Sequence, residues 1–233
     1  MDRVIFWDFD GTLVYRPKMF STSLIMVLDK YEAGHNITGE SIVRWIQSGF
    51  PWLEPEGDYR DFCDTEIWWA KICRIFEQAF LKEGISPEKA CKYARETREL
   101  LAASQYYNLY DDTIETLKFF KDNGYRNIIL SNHIPELPEI AEKLGLMDYM
   151  EVCITSAKVG YEKPNPRIFE HAVQLAGNPE EVWMVGDNPA ADVRGAEAAG
   201  IKAILVRKQD AEPTRYYSPD LRGVIRHIVP SLL

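Results

Sequence analysis

Two aspartates stand two residues apart in Asp8-Phe9-Asp10-Gly11-Thr12, directly after the short apolar run Val4 to Trp7. Carboxylates at i and i+2 past the end of a strand can address one point as the chain leaves regular geometry, and Gly11 permits the turn this requires. One carboxylate can attack phosphorus while its neighbour protonates the leaving oxygen and later activates water. Ordinary turn chemistry is the competing explanation, because aspartate next to glycine is common in turns.

Three later motifs share this placement at a strand end. Ser131-Asn132-His133 follows Ile128-Ile129-Leu130, where a hydroxyl and adjacent backbone N–H groups can hold phosphoryl oxygens. His133 has no metal-ligand or triad spacing and reads as a partly exposed loop histidine. In Lys163-Pro164-Asn165-Pro166, Asn165 suits an N-cap and Pro166 a first helical residue. Lys163 then precedes a helix N-terminus, a place suited to anions, and its ammonium could neutralise both a transferring phosphoryl group and Asp8. A solvated surface lysine is the plain alternative; the flanking prolines stiffen the segment and favour a function. In Gly186-Asp187-Asn188-Pro189-Ala190-Ala191-Asp192, Asp187 ends a strand and Asn188-Pro189 starts a helix. Asp192 lies one turn in, tilted toward the helix N-terminus. Both acids could meet a hard divalent cation such as Mg²⁺. Direct ligation and a supporting role weigh equally for Asp192, which also complements the helix dipole.

The elements that must position these groups follow from periodicity. Val4 to Trp7, Asn127 to Leu130, Val182 to Val185 and Lys202 to Val206 are apolar runs suited to strands buried on both faces. Between the later ones lie helical patterns at Asp112 to Lys121, Glu136 to Leu144, Arg167 to Leu175 and Ala190 to Ala199. Asp112 with Glu115 has the form of a capping box, and Gly177 and Gly200 stop the last two helices. Alternating strands and helices predict an α/β fold with a Rossmann-like, doubly wound, mostly parallel sheet, whose ligands sit beyond the carboxyl ends of the strands.

The stretch 15–107 differs. It holds helix candidates at Thr22 to Tyr31, Gly39 to Gln47, Glu66 to Lys82 and Glu88 to Ala103, with a loop at Phe50 to Asp61 and no convincing strand. The predicted organisation is a core of residues 1–14 and 108–233 with an all-helical insertion at 15–107. The aromatics Trp45, Trp52, Trp68, Trp69, Tyr106 and Tyr107 could stack on a flat ring of a substrate but are expected mainly to pack the insertion's own core. Arg16 and Lys18 could meet an acidic substrate at the insertion's junction, with solvated charges the favoured reading. The 233-residue chain carries a net charge of −9; a large nucleic-acid surface would need the opposite excess. Its four cysteines lack zinc or disulfide spacing. The first apolar stretch breaks at Asp8, too early for a signal peptide or membrane span. The expectation is a cytoplasmic chain, monomer or homodimer, without nucleic-acid or membrane partners.

Together the four motifs resemble, in order and strand context, those of the haloacid dehalogenase-like hydrolase superfamily. The likeness covers residues 1 to 14 and 108 to 210, and the helical insertion is similar to the cap that follows the first motif in one branch. The resemblance implies a Mg²⁺-dependent aspartyl-phosphate mechanism acting on a small phosphorylated metabolite. It places the nucleophile at Asp8, the acid/base at Asp10, the phosphate-holding hydroxyl at Ser131 and the phosphate-stabilising lysine at Lys163. The metal ligands would be Asp8, the backbone carbonyl of Asp10 and Asp187, with Asp192 in support. Gly11, Thr12, Ser131, Asn132 and Lys163 are the expected phosphate contacts. Family dehalogenases lack the second acid and the metal, so Asp10 with Asp187 and Asp192 argues against that reaction. Phosphonate cleavage needs a cap lysine, and nothing singles out one of Lys18, Lys30, Lys71, Lys82, Lys89 and Lys92. Phosphatase chemistry ranks first, phosphosugar mutase second, dehalogenase or a non-catalytic binding role last.

Overall fold

The N-terminal apolar run forms β1 (Arg3–Trp7), and the computed structural model describes residues 2–208 and 214–230. The chain then makes β2 (Val14–Tyr15), α1 (Met19–Tyr31), α2 (Gly39–Val43), α3 (Thr65–Lys82), α4 (Pro87–Ala102) and β3 (Asn108–Leu109). Next come α5 (Thr113–Asp122), β4 (Arg126–Ser131), α6 (Leu137–Lys143), β5 (Val152–Thr155), α7 (Ser156–Val159) and α8 (Pro166–Leu175). The final elements are β6 (Glu181–Gly186), a π-helical turn at Pro189–Arg194, α9 (Gly195–Ala198), β7 (Lys202–Val206), β8 (Tyr217–Ser218) and α10 (Arg222–Ile228).

Six strands form one sheet in the order β5-β4-β1-β6-β7-β8, every pairing parallel. This is the α/β architecture predicted from the alternation of runs. The chain adds strands first on the β4 side of β1 and later on the β6 side, so a topological switch point lies beside β1. β5 was not among the predicted strands. It is an edge strand with half-buried positions, so it lacks the continuous apolar run that marks a central one.

Successive strand residues point to opposite faces, and the two faces feed two cores. Val4, Phe6, Ile128, Leu130 and Met184 pack with Ile168, Phe169, Val193 and Ala196 on one side. Ile5, Trp7, Ile129, Val185 and Ile204 pack with Leu117, Phe120 and Val224 on the other. This second core continues through Phe9, Leu13 and Tyr107 into Leu24, Trp69, Phe76 and Phe80 of the helical segment.

That segment leaves and returns through an antiparallel pair, Val14 beside Leu109 and Tyr15 beside Asn108. Within it, α3 buries Trp68, Trp69, Ile72, Phe76, Ala79 and Phe80 along one stripe, and the Asp64 carboxylate accepts from the Glu66 and Ile67 N–H groups to cap it. The helix expected over Gly39 to Gln47 is α2 followed by a 3₁₀ turn at Arg44–Ile46. The expected loop at Phe50 to Asp61 contains 3₁₀ turns at Pro51–Leu53 and Arg60–Phe62. Among the described residues no helix is long and apolar enough to cross a membrane.

Two readings of charged residues are corrected. Asp112 makes no side-chain cap bond to α5; its carboxylate instead accepts from Arg207 and from the Leu221 N–H. Arg16 is half-buried and tied down rather than freely solvated. Its guanidinium donates to the Leu100 and Leu101 carbonyls and to the Ser23 hydroxyl, neutralising the carbonyl end of α4.

Candidate active site

Asp8 follows the last residue of β1, where its N–H donates to the Val185 carbonyl at 2.9 Å before the chain turns away. One carboxylate oxygen, Oδ1, accepts from the Ser131 hydroxyl and from Lys163 Nζ, each at 2.9 Å. The other, Oδ2, has a 3.4 Å contact from the Thr12 hydroxyl. β4 delivers Ser131 because it lies beside β1 in parallel register, with Trp7 opposite Ile129.

Lys163 arrives from the loop before α8, whose N-terminus is built as its sequence predicts. Asn165 accepts from the Arg167 N–H, and Pro166 is the first helical residue. The ammonium is buried and has three acceptors: Asp8 Oδ1 at 2.9 Å, the Leu130 carbonyl at 2.8 Å and Asp192 Oδ1 at 2.5 Å. Asn132 clamps the same residue through its backbone, donating to the Lys163 carbonyl at 2.8 Å and accepting from the Lys163 N–H at 2.7 Å.

Asp187 follows β6, beside β1. Its carboxylate crowds Gly11 so closely that a Cβ there would meet Oδ2 at 2.1 Å, at a backbone φ of +81°. Gly11 is therefore required twice, by space and by conformation. Asn188 caps the following turn, accepting from the Ala190 and Ala191 N–H groups. The helix expected over Ala190 to Ala199 is α-helical in its second half, α9, but opens as a π-helical turn, with the Val193 N–H reaching the Asn188 carbonyl at 3.4 Å. Both Asp192 oxygens are engaged, one by Lys163 and the other by the Asn188 N–H at 2.9 Å.

Asp8, Asp187 and Asp192 are buried and offer carboxylate oxygens within 4.8 Å of one another. Burial first and Asp8 second push the Asp187 carboxyl above its ordinary range. Burial likewise pushes Asp192 up to about 7, against the opposing charge of Lys163. Burial also works against the Lys163 ammonium, but Asp192 and Asp8 outweigh it and hold that group charged. Crowded hard-oxygen donors of this kind fit a divalent cation.

A family model described as haloacid dehalogenase-like hydrolase matches residues 3–200. The chain belongs to this family.

Among its relatives, the chain is 38% identical over 164 residues to the phosphoserine phosphatase of Thermus thermophilus, spanning 66% of the chain and 62% of that protein. It is 40% identical over 108 residues to the glyceraldehyde 3-phosphate phosphatase of Methanothermobacter thermautotrophicus, spanning 46% of the chain and 48% of that protein. The matches thus cover less than two thirds of either relative. The fold is shared with a solved 2-haloacid dehalogenase from Pseudomonas syringae, at a TM-score of 0.71, 19% identity and full coverage of both chains.

The protein carries a cavity of about 820 Å³ above these groups. Asp8, Asp10, Gly11, Ser131, Asn132, Lys163, Asp187 and Asp192 all line it, and Thr12 does not. Thr12 is fully buried, with its N–H on the Phe9 carbonyl. The Gly11 N–H is spent on the Val14 carbonyl, and the Asn132 amide on Lys163, so neither donates those groups to a ligand. Met19, Phe20, Trp52, Leu53 and Pro55 of the helical segment line the opposite wall. Trp52 stacks on Phe50 and Phe20 there, whereas Trp68, Trp69 and Tyr107 are core and Trp45 is exposed.

His133 is also corrected: it is buried, 2% exposed, with Nε2 3.1 Å from Asp10 Oδ2. Two residues were missed altogether. Arg207 donates to the Thr12 carbonyl and to Asp112, and Lys208 pairs with Asp187. Both come from the loop after β7, and no local spacing links them to partners that far away in the chain.

Proposed function

We propose that this hydrolase removes the phosphoryl group from a small phosphomonoester through an aspartyl-phosphate on Asp8, with Mg²⁺ as cofactor. The inequality of the two Asp8 oxygens carries this reading: Ser131 and Lys163 hold Oδ1, which leaves Oδ2 to attack. Asp8 displaces the alcohol to form an acyl phosphate. Asp10 gives the leaving oxygen a proton, then takes one from the water that releases phosphate and regenerates Asp8. Asp8, Asp187 and the Asp10 backbone carbonyl would hold Mg²⁺, which supplies positive charge against the phosphoryl oxygens. Asp192 acts from behind, fixing Lys163. The segment 15–107 serves as a cap whose apolar wall selects the alcohol; the names of the two relatives support a small phosphorylated metabolite. None of the segment's six lysines lines the cavity among the described residues, which weighs against phosphonate cleavage by a Schiff base.

Asp8→Asn should lower turnover with Mg²⁺ by about a thousandfold or more. Acid-quenched wild-type enzyme should carry one phosphoryl group on the Asp8 peptide by mass spectrometry. Near-normal rates from the variant would overturn the assignment. Halide release from a 2-haloacid under chelation would point to dehalogenation instead.

A further inference from the structure

His133 is a buried polar side chain that the mechanism above leaves unused. Its side chain is 1% exposed, and neither ring nitrogen completes an aligned hydrogen bond. Buried polar atoms ordinarily have partners. The group within reach is Asp10, whose Oδ2 lies 3.1 Å from His133 Nε2.

The two partners differ in freedom. The His133 ring meets Phe9 edge-on, 5.3 Å between centroids at 83°, and lies 5.9 Å from Tyr107. Its backbone is fixed on both sides: the N–H donates to the Ser156 hydroxyl and the carbonyl accepts from the Thr155 hydroxyl. The Asp10 side chain is 36% exposed and faces the cavity. Catalytic contacts commonly tighten once substrate is bound.

We propose that His133 is a positioning residue for Asp10. The imidazole, with a proton on Nε2, donates to Oδ2 and fixes the carboxyl group. Oδ1 is then free to give its proton to the leaving alkoxide and to take one from the attacking water, while His133 keeps its own proton throughout. The inference rests on the acid/base role of Asp10 proposed above.

The test exploits leaving groups. Nitrophenolate departs without a proton, whereas an alkoxide needs one, and kcat/KM reports the steps up to transfer onto Asp8. His133→Phe keeps a ring and removes the donor; His133→Gln keeps a donor near the same place. With β-glycerophosphate, His133→Phe should lose at least about tenfold in kcat/KM. With p-nitrophenyl phosphate it should lose no more than about threefold, and His133→Gln should recover most of the alkyl activity. His133→Leu gives the same contrast if the Phe variant does not fold. Equal losses on both substrates, or no loss on either, overturn the proposal. Asp10→Asn is the control: selective alkyl loss there without it in the His133 variants defeats this inference alone, and its absence in Asp10→Asn defeats both.

Discussion

Lys163 and its neighbour Glu162 divide two consequences of burial between them. Lys163 is surrounded by acceptors for all three ammonium hydrogens, so its charge persists inside the protein. Glu162 is 2% exposed, and one of its oxygens has no partner. Burial, resisted by the Ser156 hydroxyl and Lys163, pushes its carboxyl up to about 7. An ordinary carboxyl in the unfolded chain titrates near 4.3. The folded protein therefore binds the extra proton more tightly. The stability this gives is complete below the unfolded value and is lost as pH rises to about 7. Glu162→Gln should remove that decline, gaining up to about 3 kcal/mol relative to wild type at pH 8 compared with pH 4. Urea denaturation across that range measures it, and parallel curves for the two proteins would refute the burial argument.

The element after β6 converts a turn into a site. Asn188 caps it, Pro189 opens it, and the π-helical winding brings the Asp192 carboxylate back to both the Asn188 N–H and Lys163. A Cβ on Gly186 would stand 2.1 Å from Asp192 Oδ2, so the strand end has to leave that space open. Asn188→Ala removes the acceptor shared by the Ala190 and Ala191 N–H groups and should cost about 1 kcal/mol in denaturant unfolding. Loss of that cap should also loosen Asp192 and lower kcat more than it raises KM. An unchanged midpoint of unfolding would show that solvent replaces the cap. The capping residues here and at Asn165 were legible in the sequence because an N-cap is decided by the residues beside it. The misassigned Asp112 shows the limit of that logic: Arg207 and Leu221, far along the chain, claim its carboxylate.

Across the whole molecule, the helical segment and the sheet are tied at several points around the cavity. The Tyr59 N–H donates to the Gly160 carbonyl at 2.9 Å, and the Asn165 amide to the Pro55 carbonyl at 3.1 Å. Trp69 Nε1 donates to Glu136 at 2.8 Å. The loop that presents Trp52 and Pro55 to the cavity is thus fastened to the loop that carries Lys163. In the acidic cluster, burial and the neighbouring Asp8 push the Asp187 carboxyl up, and Lys208 pairs with it from a side chain that is 67% exposed. A ligand that binds the folded protein stabilises it by mass action, about 2.7 kcal/mol at a hundredfold excess over Kd. Millimolar Mg²⁺ should therefore raise the melting temperature of the wild-type protein by several degrees, and that of Asp187→Asn much less. Equal shifts in both proteins would place the cation elsewhere.

By itself the sequence determined the α/β class, the strand runs around β1, β4, β6 and β7, and the positions of Asp8, Asp10, Ser131, Lys163, Asp187 and Asp192. These were readable because burial on both faces, helix capping and turn geometry are set by residues near one another in the chain. Tertiary structure decided what those groups touch. Parallel register set Ser131 against Asp8, and the π-helical turn gave Asp192 to Lys163. Packing against Phe9 and Tyr107 buried a histidine that its own loop would have left in water. Such contacts join residues from about thirty to more than a hundred and twenty positions apart, and their partners are chosen by the three-dimensional path of the chain, which no local spacing encodes.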